Sequence, residues 1–175
     1  MNEPNPAADG RPTSAARGRL SRIMTVLDTN LLGTVHGGVV MKLVDDVAGV
    51  VAQRHSGGAA VTASMDEMDF LHPVRVGDLV YAAAQVNWTG TTSMEVGVRV
   101  QAEPWNEAGV APTRVATAYL VFVAVGEDGQ PRPVPPVLPE TDEDRRRVAE
   151  AEIRRTHRLA RRQAILRSRE ADSAG

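Results

Sequence analysis

The sequence predicts an α+β fold, an antiparallel sheet wrapped around one long central helix, with an arginine-rich helix added at the C-terminus. Three observations predict it. One long segment, "HGGVVMKLVDDVAGVVAQRH" at residues 36–55, carries apolar residues at helical spacing. The segments after it carry strand periodicity. One helix cannot cover both faces of a broad sheet, so a sheet curled around it is the economical arrangement. The apolar surface and edge left over favour pairing with another copy.

At 175 residues and 18.8 kDa the chain has the length of one domain. Its 42% hydrophobic content suffices for a packed core. A net charge of -2 argues against binding nucleic acid by bulk charge. Two Trp, two Tyr and two Phe offer little for stacking bases. The absence of cysteine excludes disulfides, cysteine nucleophiles and thiolate metal sites, and fits a reducing, cytoplasmic setting. No apolar run approaches the roughly 20 residues of a membrane span, and no signal-peptide core opens the chain. No G-x-S-x-G, phosphate loop or dinucleotide fingerprint is present.

Residues 1–20 are rich in Pro, Ala, Gly, Ser and Arg without a period, and are expected to form a disordered tail. A globular domain then runs over 21–126. It opens with a short strand at 22–27, followed by the polar loop "DTNLLGT" and the long helix, which stops before Ser-Gly-Gly at 56–58. Strands are expected at 59–65, 79–88, 93–101 and 114–125. Pro73 and Gly77 mark a turn-bearing connection, and "TGTT" at 89–92 a hairpin turn. In 93–101 the alternation puts Met94, Val96, Val98 and Val100 on one face and Ser93, Glu95, Gly97, Arg99 and Gln101 on the other. The run at 114–125 is apolar almost throughout, as in a strand covered on both faces. Residues 127–139 read as a proline-rich linker. A helix over 140–169 starts at Thr141, an N-cap with Asp144 three residues on, and 170–175 form a disordered end.

Two acids stand side by side in the long helix, and a helical wheel separates them. Val39, Val40, Leu43, Val44, Val47, Val50 and Val51 form the stripe that packs on the sheet. Lys42, Asp46 and Gln53 form a polar ribbon, where Asp46 is solvated or paired. Asp45 falls on a third face with Met41, Ala48 and Ala52. If that face is covered, Asp45 is an acid in a low-dielectric site, which costs stability unless it has a partner or a task. If it is exposed, Asp45 is an ordinary surface charge.

Upstream, Gly37 and Gly38 stand at the helix start, where backbone N–H groups lack partners within the helix. Such amides can approach a ligand oxygen and favour an anion or a developing oxyanion. A tight turn accounts for the glycine pair equally simply. Asn30 adds a side-chain donor. Together Asn30, the glycine amides and Asp45 supply the parts of acyl-transfer hydrolysis: donors for a carbonyl oxygen, and a base or nucleophile.

The stretch "DTNLLGTVHGGVVMKLVDDVAGVVAQRH", then "MDFLHPVRVGD" and "TGTTSMEVGV", resembles the hotdog-fold acyl-CoA thioesterases, nearest to the YciA-type bacterial enzymes and the cytosolic brain-type enzymes of animals. The resemblance covers roughly residues 22–125. It implies a hotdog fold and hydrolysis of acyl-CoA to free fatty acid and CoA, without metal or cofactor. It implies further that Asn30 and Asp45 act together from opposite subunits, and that Gly37 or Gly38 helps polarise the thioester carbonyl. The implied assembly is a homodimer, with three dimers in a hexamer. Relatives often carry a basic residue in the turn that is Gly90-Thr91-Thr92-Ser93 here, and Thr91 cannot pair with a CoA phosphate as arginine would.

Ten arginines between 145 and 169 are one alternative source of that contact; a solvated helix on the surface is the simpler reading. His36 is either a substrate-binding residue or a helix cap. His55 and His157 are expected to be exposed, and His72 to sit in a turn. Asp66, Glu67, Asp69 and His72 read as a polar strand end, since their spacing fits no known metal pattern. Two rival functions remain: a non-catalytic acyl-CoA-binding regulator on the same fold, and a nucleic-acid module using the last helix.

Overall fold

The computed structural model describes residues 9–107 and 109–173. Strands β1 (Arg11–Pro12) and β2 (Gly18–Ile23) precede helix α1 (Gly37–Ser56). Four long strands follow: β3 (Ala60–Phe70), β4 (Asp78–Thr89), β5 (Ser93–Pro104) and β6 (Thr113–Ala124). A short β7 (Val137–Leu138) leads into the final helix, α2 (Asp142–Ser173). The main sheet has the order β2-β4-β5-β6-β3, every neighbouring pair antiparallel.

Helix α1 lies on the concave face of this sheet. Val40, Leu43, Val44, Val47 and Val51 are buried against Val80, Val96, Val98, Leu120 and Phe122. Each such side chain contributes on the order of 2 kcal/mol through the apolar surface it removes from water. Val50, placed on the packing stripe by the wheel, is exposed, whereas Ala48 and Ala52 are fully buried. The packing face is therefore rotated toward Asp45.

The other sheet face is covered by α2. The alternation in β5 holds, but Glu95 on its outward side is only 1% exposed. Arg154 of α2 reaches it with two bonds, at 2.6 and 3.2 Å, and stacks on Tyr119. Arg158 pairs with Asp66 at 2.6 Å. So α2 is not a freely solvated helix. Its arginines neutralise acids standing on the sheet. Its N-terminus carries the expected box, with Asp144 N donating to Thr141 Oγ1 and Thr141 N to Asp144 Oδ2. Burial would raise the Asp144 carboxyl pKa, but hydrogen bonds from Thr13, Thr141 and Gln85 outweigh it and hold it well below the usual carboxylate range.

The chain ends depart most from expectation. Residues 1–8 of the expected disordered tail lie outside the described residues, but 11–20 are built into the fold. β1 pairs in parallel with β7, Thr13 donates to Asp144, and Gly18 packs so closely on α1 that a Cβ would stand 2.7 Å from Val51. The strand expected at 22–27 is centred earlier, because Thr25 and Asp28 cap a short 3-10 turn over Val26–Asp28. The proline-rich 127–139 is no free linker. Arg132 donates to the carbonyls of Val125 and Ser56, while Arg11 donates to those of Arg54 and His55, so both segments clip the end of α1. His55, expected to be exposed, is buried beneath them, its Nε2 donating to Pro135 O at 3.0 Å. His157 is exposed. Helix α2 runs on through 170–173, part of the expected disordered end; 174–175 lie outside the described residues. No described helix is long and apolar enough to cross a membrane.

Candidate active site

The loop before α1 is anchored by Asp28. Its carboxylate accepts from Thr25 N and Oγ1 and from Arg22 at 2.6 Å, and its carbonyl accepts from His36 N. The Thr25 backbone bond is the largest cause holding the Asp28 carboxyl below its ordinary pKa, against its burial. From this anchor Asn30 folds a tight turn. Its Oδ1 accepts from Leu32 N at 2.9 Å and its Nδ2 donates to Thr34 Oγ1 at 3.0 Å. Gly33 takes the left-handed φ of 76° that closes the turn. Leu31 and Leu32 are left almost wholly in solvent.

His36 caps α1. Its Nδ1 accepts from Gly38 N at 2.9 Å, so the structure gives it the cap role. A Cβ on residue 38 would stand 3.0 Å from that ring, which would have to give way. The cap occupies the Gly38 amide. Among the described residues the Gly37 amide has no hydrogen-bond partner, so it is the one available to a ligand oxygen.

Two hollows flank this helix start. One, of about 660 Å³, is lined by Thr29, Asn30, Leu31, Leu32 and His36. The other, of about 330 Å³, is mostly apolar and runs from Gly37 between Val40, Phe70, Leu71 and Pro73.

Asp45 lies two turns further along α1. It is half-buried in the single chain rather than sealed in a dry crevice, because Ala48 and Ala52 beside it turn into the core and Met41 outward. Thr62 Oγ1 donates to its Oδ1 at 2.7 Å. Asp46 pairs instead with Lys42 at 2.6 Å on the exposed ribbon. Thr62 was not singled out from the sequence; its only signal is a hydroxyl on an otherwise apolar inner row, in register with Phe122.

The structure brings Asn30, His36 and Gly37 to one end of α1. No hydrogen bond joins Asn30 to Asp45 within the chain. The Gly90–Ser93 turn stands at the opposite end of the 20-residue helix, roughly 30 Å away by helical rise. There the carbonyls of Thr91 and Thr92 accept from Val134 N and Ala124 N. Asp66 of the acidic cluster is taken up by Arg158 and Arg161.

A curled antiparallel sheet around one central helix is the architecture of the hotdog class. The family model of the thioesterase superfamily matches residues 32–108. The chain is 36% identical over 160 residues to the cytosolic acyl coenzyme A thioester hydrolase of Mus musculus, covering 90% of this chain and 42% of that protein. It thus spans about four-tenths of the length of its mammalian relatives. It is 46% identical over 120 residues to the uncharacterized acyl-CoA thioester hydrolase YkhA of Bacillus subtilis, covering 67% of each. Among solved structures it resembles the acyl-CoA hydrolase of Staphylococcus aureus in complex with butyryl coenzyme A and coenzyme A: 34% identity, TM-score 0.84, 91% of this chain and 96% of that one. Variants of that enzyme with an aspartate, an asparagine or a threonine changed to alanine have also been solved. A hexameric acyl-CoA thioesterase matches with 38% identity and TM-score 0.83, over 87% of this chain and 97% of that one. The chain belongs to the thioesterase superfamily.

Proposed function

We propose that this chain is an acyl-CoA thioesterase, hydrolysing acyl-CoA to a free fatty acid and CoA at a site completed by a second copy of itself. One observation carries the reading: Asp45 is aimed by Thr62, while Asn30 lies beyond its hydrogen-bonding reach in the same chain. The relatives named acyl-CoA hydrolases supply the substrate class. The aspartate, asparagine and threonine replaced in the Staphylococcus aureus structures are the same three side-chain types as Asp45, Asn30 and Thr62.

In this mechanism the Gly37 amide of the second copy, at the positive end of its α1, polarises the thioester carbonyl, because within one chain Gly37 stands roughly 12 Å of helical rise from Asp45. Asp45 takes a proton from water as the new C–O bond forms, or attacks the carbonyl itself to give a mixed anhydride that water cleaves once the thiolate has left. Asn30 of a second copy orients the water or the carbonyl. The C–S bond then breaks and CoA leaves as the thiolate. The acyl chain enters the hollow beside Phe70, and the CoA arm leaves past Asn30. The side chains present serve this hydrolysis without metal or cofactor. The Gly90–Ser93 turn contributes across an interface, since in its own chain it stands at the other end of α1 from Gly37. We assign the enzyme to the cytoplasm, as a homodimer with three dimers in a hexamer, in keeping with the cytosolic and hexameric relatives.

The test is thiol release from a panel of acyl-CoAs. Asp45→Ala and Asn30→Ala abolish turnover while folding and assembly survive, whereas Asp46→Ala retains it. Mixing the two dead variants restores part of the activity in verified hybrid dimers. Acyl-CoA binding without thiol release by the unmutated protein would make it a regulator instead.

A further inference from the structure

A separate hollow, of about 120 Å³, lies on the far side of the sheet from α1, between β5, β6 and the start of α2. Its making begins with a bulge. Strand β4 slips register between Val86 and Trp88, and the extra residue, Asn87, lies flat on the strand beside it. It can do so only because residue 97 is glycine; a Cβ there would stand 2.4 Å from Asn87 Nδ2.

Asn87 is 2% exposed, and its Nδ2 donates to Glu95 Oε1 at 3.2 Å. That carboxylate accepts and cannot donate, so the amide's orientation is fixed. Asn87 Oδ1 is then a buried acceptor with no partner. The Nε of Arg147 is a buried donor with no partner. Both residues line the same hollow. Arg99, Arg114 and Arg146 also line it, with Glu150 as the one acid. Glu143 pairs from alongside with Arg99, Arg146 and Arg147. Even with Glu143 included, guanidinium groups outnumber carboxylates four to two.

A ligand that satisfies this hollow is an anion that also donates a hydrogen bond: its oxygens accept from Arg147 and its neighbours, and a proton on it goes to Asn87 Oδ1. Fully deprotonated sulfate cannot meet the second demand. Hydrogen phosphate meets both, and the hollow is several times the roughly 10–15 Å³ that a single water needs on the same measure. We propose that this hollow is a hydrogen phosphate site, distinct from the thioester site on the other face, that fastens α2 to the sheet.

Phosphorus NMR and thermal unfolding of the full chain test it, with potassium phosphate against potassium sulfate at matched ionic strength and neutral pH. Phosphate is expected to bind saturably and raise the Tm, with sulfate about tenfold weaker for want of the hydrogen bond to Asn87. Arg114→Gln, at an exposed position, is expected to weaken phosphate binding several-fold with the fold intact, and Asn87→Leu to erase the preference over sulfate. If Asn87→Leu does not fold, the preference of the unmutated protein and the Arg114→Gln result still decide. Absence of saturable binding by either anion would mean that the hollow holds water alone. Equal binding of both anions, unchanged in Arg114→Gln, would place them elsewhere on the surface. Either result overturns the proposal.

Discussion

Thr62 Oγ1 stands 2.7 Å from Asp45 Oδ1, so a strand hydroxyl aims the α1 carboxylate that, unlike Asp46, does not pair with a neighbouring cation. On the thioesterase reading, Thr62 is a positioning residue. Thr62→Val is expected to lower kcat by roughly tenfold or more, the scale of one lost bond to a charged group, with little change in KM. Thr62→Ser, which keeps the hydroxyl, is expected to recover most of the rate. Steady-state thiol release separates the two. Equal rates for both variants would remove Thr62 from the mechanism.

Phe70 closes the apolar hollow beside Gly37, its ring 3.4 Å from where a Cβ on residue 37 would stand. Phe70→Ala is expected to move the preference for acyl chains toward longer ones, and Phe70→Trp toward shorter ones. Each methylene gained or lost in an apolar pocket is worth about 1–3 kcal/mol of discrimination. The ratio of kcat/KM for long and short acyl-CoAs reads this directly. An unchanged ratio in both variants would place the acyl chain elsewhere.

His55 makes stability depend on pH. Its burial pushes its pKa below the ordinary 6.5, helped by nearby Arg11 and opposed by the bond to Pro135. The unfolded chain therefore takes up a proton at a pH where the folded one does not. The contribution of neutral His55 is full above about 6.5 and lost as pH falls toward the folded value. Denaturant unfolding at a series of pH values should show stability falling below that point, with a shallower fall in His55→Gln.

Glu95 and Arg154 are a pair whose halves are not equally dispensable. The Glu95 side chain is 2% exposed and that of Arg154 15%. Arg154→Leu strands a buried carboxylate and is expected to cost about 3 kcal/mol. The double variant Glu95→Leu with Arg154→Leu is expected to cost less than Arg154→Leu alone, because no charge is left without a partner. Urea midpoints for the single and double variants check this.

Where side-chain pattern reports burial directly, the sequence was readable. The valine row of β5 and the apolar run of β6 each face a core that their own spacing describes, and the row of α1 does so except at Val50, with Ala48 and Ala52 buried in addition. Asp46 could be set aside because its partner, Lys42, lies one turn away on the same ribbon. What stayed hidden depends on contacts between segments far apart in the chain. Residues 11–20 lack a core stripe of their own and are ordered by Glu140 and Asp144, over a hundred positions away. Nothing local to His55 announces the segments that bury it. The polar row of β5 looks solvated until Arg154 arrives. At the site, Asn30, Gly37 and Asp45 were legible as residue types on a helix and its approach. Thr62 was not, because a threonine in a strand reads first as ordinary β propensity.

The clips on the end of α1 have a consequence for how this protein can be divided. Arg11 and Arg132 hold the last carbonyls of the helix from outside the segment that periodicity alone marks as the domain. A fragment trimmed to 21–126 would discard both, unroof His55 and leave the final turn of the helix to fray. The flanks are the caps of that helix end, so a boundary drawn by periodicity cuts through its hydrogen bonds.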